Sequence, residues 1–127
     1  MNRLVMAFVA TALAATTVAC DRAGKEAVSF RNDVMPILRE NCLDCHDAVG
    51  QGTAASGFSV VSYNGLMQGT QYGPVVVPGD PDASVLMQLV EGRADPSIAM
   101  PHGDSRKLYA AEKDVLRAWI AQGAPDN

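Results

Sequence analysis

The sequence predicts a small all-α domain with long loops, preceded by a segment that directs export. Three observations lead to this prediction. The chain has 127 residues, which is enough for one domain but not for a multi-domain enzyme. Apolar residues recur at helical spacing near both ends of the globular part, within 29–43 and 110–122. Between these segments lie most of the eleven glycines and seven prolines, which favour loops over strands.

The first helix is expected over residues 29–43, where apolar side chains fall on one face. Pro36 must then lie in the first turn, where its missing N–H is harmless, and either Asn32 or Asp33 is placed to cap the helix. The segment that follows the helix, residues 50–57, contains Gly, Ser, Thr, Ala and Gln. We expect it to be a flexible loop.

A short helix over residues 63–68 and an extended connection over 73–79 are expected next. Gly69 closes the helix, and the two prolines of the connection exclude a central strand. Asp80 is placed to cap the following helix, with Pro81 at its first position. The expected buried residues of that helix are Val85, Leu86, Leu89 and Val90.

Gly92 is expected to end this helix, and residues 93–107 have no regular pattern. The clearest helix in the sequence covers residues 110–122. Glu112 lies in its first turn, where an acidic side chain is favourable, and Gly123 stops the helix together with a later proline. Its expected core residues are Leu116, Trp119 and Ile120, with Val115 alongside.

The N-terminal segment, residues 1–19, has the pattern of an export signal. Arg3 precedes an uncharged apolar stretch that is shorter than the roughly 20 residues of a bilayer span. The residues before Cys20 resemble the lipobox of bacterial lipoproteins, which implies lipidation of Cys20 and anchoring to the periplasmic side of the inner membrane. The alternative is an ordinary cleavage site and a soluble periplasmic protein. Residues 20–28 are expected to form a tether to a domain that covers 29–127.

The chain is acidic, with 14 Asp and Glu residues against 10 Lys and Arg and a formal net charge of −4. This balance argues against nucleic acid as a partner. A redox partner protein with a basic docking face is the expected electrostatic complement.

The segment Cys42-Leu43-Asp44-Cys45-His46 is a C-x-x-C-H motif, the attachment signature of c-type haem. In this motif the two thiols bond to the porphyrin and the histidine becomes an iron ligand. Three alternatives compete with one covalent haem c and its iron. A Cys42–Cys45 disulfide needs only an oxidising compartment. A thioredoxin-like pair would need a βαβ context, and a zinc site would need a fourth ligand; the sequence indicates neither.

A second axial ligand must come from elsewhere in the chain. Met100 is favoured because it lies in an irregular segment and precedes Pro101, which restricts the backbone there. Met35 is disfavoured because its helix leads into the motif. The remaining alternatives are an open site, His102, Met67 in a short helix, and Met87, for which core packing is the preferred interpretation.

Four stretches, together with their spacing, resemble a known family. The combination is similar to small monohaem cytochromes c, in particular the domains described as planctomycete-type. The resemblance implies an all-α cytochrome c fold wrapped around one covalent haem, with His46 as the proximal and Met100 as the distal ligand. His102 and Tyr109 depart from residues common in the family. The stretches are Phe30–Leu38 leading into Cys42–His46, Val77–Leu86, Met100-Pro101 and Leu116–Ala124.

Iron with both axial positions filled has no site for substrate, so the sequence predicts an electron carrier and not an enzyme. Two alternatives share the same residues. The chain could be the haem-bearing subunit of a larger dehydrogenase or oxidase, or a haem-based ligand sensor in which Met100 detaches.

Overall fold

The structure is a computed structural model that describes residues 26–103 and 105–127. These ranges are helical and contain no strand; an isolated antiparallel bridge joins Thr70 and Gly73. The predicted all-α class is therefore confirmed. The expected export signal, Cys20 and most of the tether lie outside the described residues.

Six short α-helices follow one another along the described chain. A π-helical turn precedes the first of them, and a single 3₁₀ turn, Pro96–Ile98, lies before the last. None of the described helices is long and apolar enough to cross a membrane. The π-turn is Phe30–Val34, and the helices are α1 (Met35–Asn41), α2 (Leu43–His46), α3 (Gln51–Ser56), α4 (Tyr63–Gln68), α5 (Val85–Val90) and α6 (Ala110–Ala121).

The first helix is confirmed, but its expected cap is wrong. The helical segment begins at Phe30, before the expected caps, and the Ser29 hydroxyl accepts a hydrogen bond from the Asn32 N–H at 3.2 Å. Pro36 is the second residue of α1 and so lies in its first turn, as expected, although the π-turn continues the helix on its N-terminal side. The wider π-turn before Pro36 is consistent with a ring that would clash with a carbonyl four residues earlier in regular α geometry.

The prediction of a loop over residues 50–57 is wrong, because most of this segment forms α3. The Ser56 hydroxyl donates to the Gly52 carbonyl at 2.7 Å, and the backbone N–H of Gly57 donates to Thr53 at 2.7 Å. Gly57 has a φ of 76°, a left-handed conformation that commonly ends helices. The small residues of this segment form a helix because local hydrogen bonds close both of its turns.

The start of α5 is also later than expected. The Asp80 carboxylate accepts from the Asp82 and Ala83 N–H groups and forms a tight turn, so the helix begins after Ser84. The register differs as well. Val85 is 41% exposed, whereas Met87 is fully buried. The preferred interpretation of Met87 as a core residue is confirmed, and the buried residues of α5 are Leu86, Met87 and Val90.

The remaining expected elements are present. α4 covers 63–68, residues 73–79 form an irregular connection, and α6 ends one residue before its expected limit. The expected core residues of α6 are all buried: Leu116, Trp119 and Ile120.

The core is built around an aromatic cluster that joins the two ends of the described chain. The Phe30 ring lies 5.1 Å from the Tyr63 ring and 5.5 Å from the Trp119 ring, measured between centroids. Trp119 is fully buried, and its Nε1–H donates to the Pro125 carbonyl at 2.9 Å. The Asn127 side-chain oxygen accepts from the Phe30 N–H at 2.7 Å. These contacts pack the first turn of the helical domain against α6.

Candidate haem-attachment site

The C-x-x-C-H motif is held as one helical turn immediately after α1. The His46 N–H donates to the Cys42 carbonyl at 2.9 Å, and the Cys45 N–H lies 3.2 Å from the same oxygen. Cys45 is exposed and Cys42 is partly buried, and both thiols are free. The turn therefore presents two unpaired thiols and one imidazole within five residues.

His46 is oriented through one of its two ring nitrogens. His46 Nδ1 lies 3.1 Å from the Phe58 carbonyl oxygen, and the Phe58 ring packs edge-on at 5.1 Å from the imidazole. A carbonyl can only accept, so this contact assigns the proton to Nδ1. In the neutral ring Nε2 then carries the lone pair and is available to bind a metal.

Gly52 of α3 provides the space for this imidazole. A Cβ atom at Gly52 would lie 2.5 Å from His46 Cε1 and 2.8 Å from both ring nitrogens. The position therefore excludes any side chain while the ring stays where it is. Gly50 is restricted in the same way, because a Cβ there would overlap the Cys45 carbonyl.

Thr53 reinforces the same arrangement from α3. Its hydroxyl oxygen lies 2.6 Å from the Asp47 carbonyl and 2.8 Å from the Phe58 carbonyl. Because a hydroxyl has a single proton, it can donate to only one of the two oxygens at a time. The Val60 N–H donates to the His46 carbonyl at 2.9 Å. The segment around Phe58 is therefore bound to both the ring and the backbone of His46.

The competing interpretations of the motif find no support in this geometry. The two thiols form no disulfide. Burial, followed by the charges of Cys45 and Glu112, raises the pKa of the Cys42 thiol to about 11, whereas reactive redox cysteines need a lowered pKa. In the described part of the chain, no group of three or more His, Cys, Asp or Glu side chains could hold a metal ion. A zinc site at the motif therefore lacks ligands.

The helices that carry this site have no core of their own. Neither α2 nor α3 contributes a buried residue, although Phe58 and Val60, which follow them, are buried. A helix usually gains its stability by packing an apolar face. The free thiols, the Nδ1-protonated imidazole and the lack of a fully buried residue in these two helices together fit a bulky apolar group attached at the motif.

Met100, the favoured second ligand, lies on the irregular segment after α5. Its N–H is 3.4 Å from the Leu89 carbonyl, and its side chain is partly buried. Pro101 is buried and follows it through a cis peptide bond, whereas His102 is exposed. The hydrogen bonds of the described residues connect Met100 to α5 and do not bring it to the motif, so its role as a ligand stays a prediction.

The other methionines have different surroundings. Met87 is fully buried in the core. Met35 and Met67 are partly buried and pack against the core, and Met35 also lines a shallow surface cleft with Phe30 and Tyr63.

Sequence reasoning brought together Cys42, Cys45 and His46 but missed the residues that orient the imidazole. Gly52 and Thr53 fall in the segment that was expected to be a loop, and Phe58 directly follows that segment. A glycine six residues after the motif histidine, inside a run of small residues, was the available signal, but glycine in such a run is equally typical of a loop.

Comparison with known proteins supports the interpretation of the motif. The family model described as Planctomycete cytochrome C matches residues 42–104, a range that begins at the first thiol and includes Met100. No curated protein and no solved structure matches significantly. The attachment geometry and this match agree, and the chain therefore carries a cytochrome c-like domain that is similar to the planctomycete cytochrome c family.

Proposed function

We propose that the chain is an electron-transfer protein with one haem c, bound covalently through Cys42 and Cys45 and ligated by His46 and Met100. The match to a cytochrome c family model supports a haem-binding role in electron transfer. The single observation that carries the more specific proposal is the 3.1 Å contact between His46 Nδ1 and the Phe58 carbonyl, because it leaves Nε2 available for iron.

The bound haem supplies a metal that changes its charge by one electron, and the protein supplies the ligands and the surroundings. Phe58 fixes the tautomer and the tilt of the His46 imidazole. Met100 provides a thioether, a soft and weak donor that tends to raise the reduction potential of the iron. With His46 and Met100 as its two protein ligands, the iron would have no position left for a substrate, and electron transfer would be the activity that remains.

The proposal includes a location and a partner class. The uncharged segment before Cys20 and the resemblance of residues 17–20 to a lipobox support export and a lipid anchor on the periplasmic side of the inner membrane. The net charge of −4 supports docking to redox partner proteins through a basic face. A lipid anchor would keep the search for these partners close to the membrane.

The test is the visible spectrum of protein produced together with a haem-attachment system. We expect reversible one-electron reduction and, in the ferric state, the weak absorption band that reports methionine bound to iron. The variant Met100→Ala should lose this band. Met67→Leu is the matched control, since Met67 is another partly buried methionine packed against the core, and it should retain the band.

Persistence of the band in Met100→Ala would contradict the assignment of Met100 as an iron ligand. Loss of the band in Met67→Leu would indicate that Met67 is the ligand instead. Rapid binding of carbon monoxide to the reduced wild-type protein at neutral pH would contradict a closed site and favour the sensor function. Co-purification of a second polypeptide in fixed stoichiometry would assign the chain to a larger oxidoreductase complex and would contradict a free carrier.

A further inference from the structure

We propose that Arg106 is a positioning residue that fastens the Met100 segment to the helix leading into the haem-attachment motif, and so strengthens the bond between Met100 and iron. This inference rests on the proposed ligation by Met100. Arg106 itself touches neither the motif nor the iron in this proposal; it acts through the chain segment that carries the sulfur ligand.

The guanidinium group of Arg106 joins three parts of the chain. Its two terminal nitrogens each lie 2.9 Å from a different carboxylate oxygen of Glu112, near the start of α6. One of the same nitrogens lies 3.2 Å from a carboxylate oxygen of Glu40, at the end of α1. The guanidinium carbon also lies 4.3 Å from the centre of the Tyr109 ring. Two-pronged pairing of this kind fixes the direction of an arginine side chain as well as its position.

The cluster lies beside the haem-attachment motif. Asn41 directly precedes Cys42, and its side-chain nitrogen lies 2.8 Å from the Ile37 carbonyl and 3.4 Å from Glu112 Oε1. The charge of Glu112 is one of the causes that raise the pKa of the Cys42 thiol. The end of the Arg106 cluster and the first attachment thiol are therefore close enough to interact electrostatically.

The segment between Met100 and α6 has three further ties. The Lys107 ammonium donates to the Pro101 carbonyl, one residue after Met100. Leu108 is buried in the core. At the other end, the Met100 N–H lies near the Leu89 carbonyl. Arg106 is the ion-paired contact in this set, and it links the segment to α1, which leads directly into the motif.

The ion pair is fully formed at neutral pH. Arg106, followed by further hydrogen bonds, lowers the pKa of Glu112 to about 2 against the opposing effect of burial. Removal of the guanidinium would leave Glu112, whose side chain is only 15% exposed, without its cation. The Tyr109 N–H at 2.7 Å and the more distant Asn41 side-chain amide at 3.4 Å would remain as its donors.

A weak ligand makes the iron sensitive to this contact. Thioether sulfur binds iron weakly, so its occupancy depends on how completely the protein holds it in place. A segment that loses an ordered contact samples more conformations, and the ligated state falls in population by the part of the contact's free energy that the unligated state does not share. We expect loss of Arg106 to raise the population without Met100 bound by about tenfold, the effect of a typical charge-assisted hydrogen bond.

The test compares two arginines in the holoprotein. Arg106→Ala should weaken the methionine-to-iron band, lower the reduction potential and accelerate carbon monoxide binding to the reduced protein. Arg106→Lys should restore these properties in part, since lysine keeps the charge but not the two-pronged geometry. Arg117→Ala is the matched control. Arg117 also pairs with a glutamate through two nitrogens, at 2.8–3.0 Å from Glu91, but it lies on α6 and outside the Met100 segment.

Three outcomes can be told apart. If Met100→Ala loses the band and Arg106→Ala behaves as Arg117→Ala does, only the present inference is overturned. If Met100→Ala keeps the band, the proposed ligation itself fails. If Arg106→Ala does not fold, Glu40→Gln removes only the link to α1, and an unchanged band and carbon monoxide rate in that folded variant would overturn the inference.

Discussion

The two halves of the described molecule are held together in different ways. In the half formed by the π-turn, α4 and α6, the rings of Phe30, Tyr63 and Trp119 pack within 5.1–6.5 Å of one another. In the half formed by α2 and α3 no helical residue is fully buried, and hydrogen bonds and the Phe58 ring hold the His46 imidazole. The first half has a complete core made of side chains. The second is organised around two thiols and a ring nitrogen, which are the groups that would hold the haem in the proposed function.

This difference indicates that different interactions stabilise the two halves. Substitutions in the aromatic half should change the free energy of unfolding and leave the iron ligands in place. Substitutions in the attachment half should change the spectrum and the reduction potential more than the stability of the fold. The predictions below test this separation.

The largest effect on stability is expected for Trp119→Ala. It removes a fully buried side chain and the hydrogen bond to the Pro125 carbonyl, and should lower the free energy of unfolding by about 3–5 kcal/mol. Denaturant unfolding of the holoprotein measures this loss, and Trp119→Phe should lose less. The methionine-to-iron band of the folded variant should stay unchanged; its disappearance would show that the two halves are not separate.

Gly52→Ala tests the attachment half. In an open helix this substitution would be favourable, since alanine is the better helix former. Here the new methyl group would overlap the His46 ring, so we expect a loss of about 1–3 kcal/mol and an altered spectrum. Ala54→Gly on the exposed part of the same helix is the control, with a cost of about 1 kcal/mol and no spectral change. A stabilised Gly52→Ala with a normal spectrum would contradict the geometry around His46.

Glu112→Gln should make stability less dependent on pH. The folded pKa of Glu112 is about 2 and its ordinary value is 4.5, so its ionised form stabilises the fold above about pH 5 and this contribution disappears as the pH falls toward 2. We expect the variant to be less stable by about 1–2 kcal/mol at pH 7, with the difference shrinking at acidic pH. Unfolding curves at several pH values measure the difference in free energy of unfolding between the wild-type protein and the variant. If this difference is the same at every pH, Glu112 is not the titrating group.

Thr53→Val should have the smallest effect on stability. It removes a hydroxyl that lies near the Asp47 and Phe58 carbonyls, at a cost of about 0.5–1.5 kcal/mol. Because the Phe58 carbonyl also accepts from His46, the reduction potential should shift measurably. Ser97→Ala, at an exposed hydroxyl that bonds only within its own turn, is the control and should leave the potential unchanged.

Sequence reasoning predicted the parts of the fold whose patterns are local. α6 has a clear apolar face, an acidic residue in its first turn and a glycine stop, and its limits differ by one residue from the expected ones. α3 was missed because its residues are small and polar, and its helix depends on the packing of Gly52 against a ring from another helix. The late start of α5 was missed because Asp80 caps a local turn, a use that competes with helix capping for the same side chain.

In the candidate site, as in the fold, only the features with a local sequence pattern were predictable. The spacing of Cys42, Cys45 and His46 defines their chemistry without any structure. The partner of His46 Nδ1 was not predictable, because it is a backbone carbonyl, which carries no signal in the residue type. The Arg106 cluster was also missed, since a pairing between residues 66 positions apart leaves no trace in a local pattern.

The central claim is that Cys42 and Cys45 hold a porphyrin through covalent bonds. The most direct measurement is the intact mass, under denaturing conditions, of the chain produced with a haem-attachment system. We predict a mass greater than that of the polypeptide and any lipid by one haem, and loss of this increment in the double variant Cys42→Ala, Cys45→Ala. A wild-type mass without the increment would contradict the account.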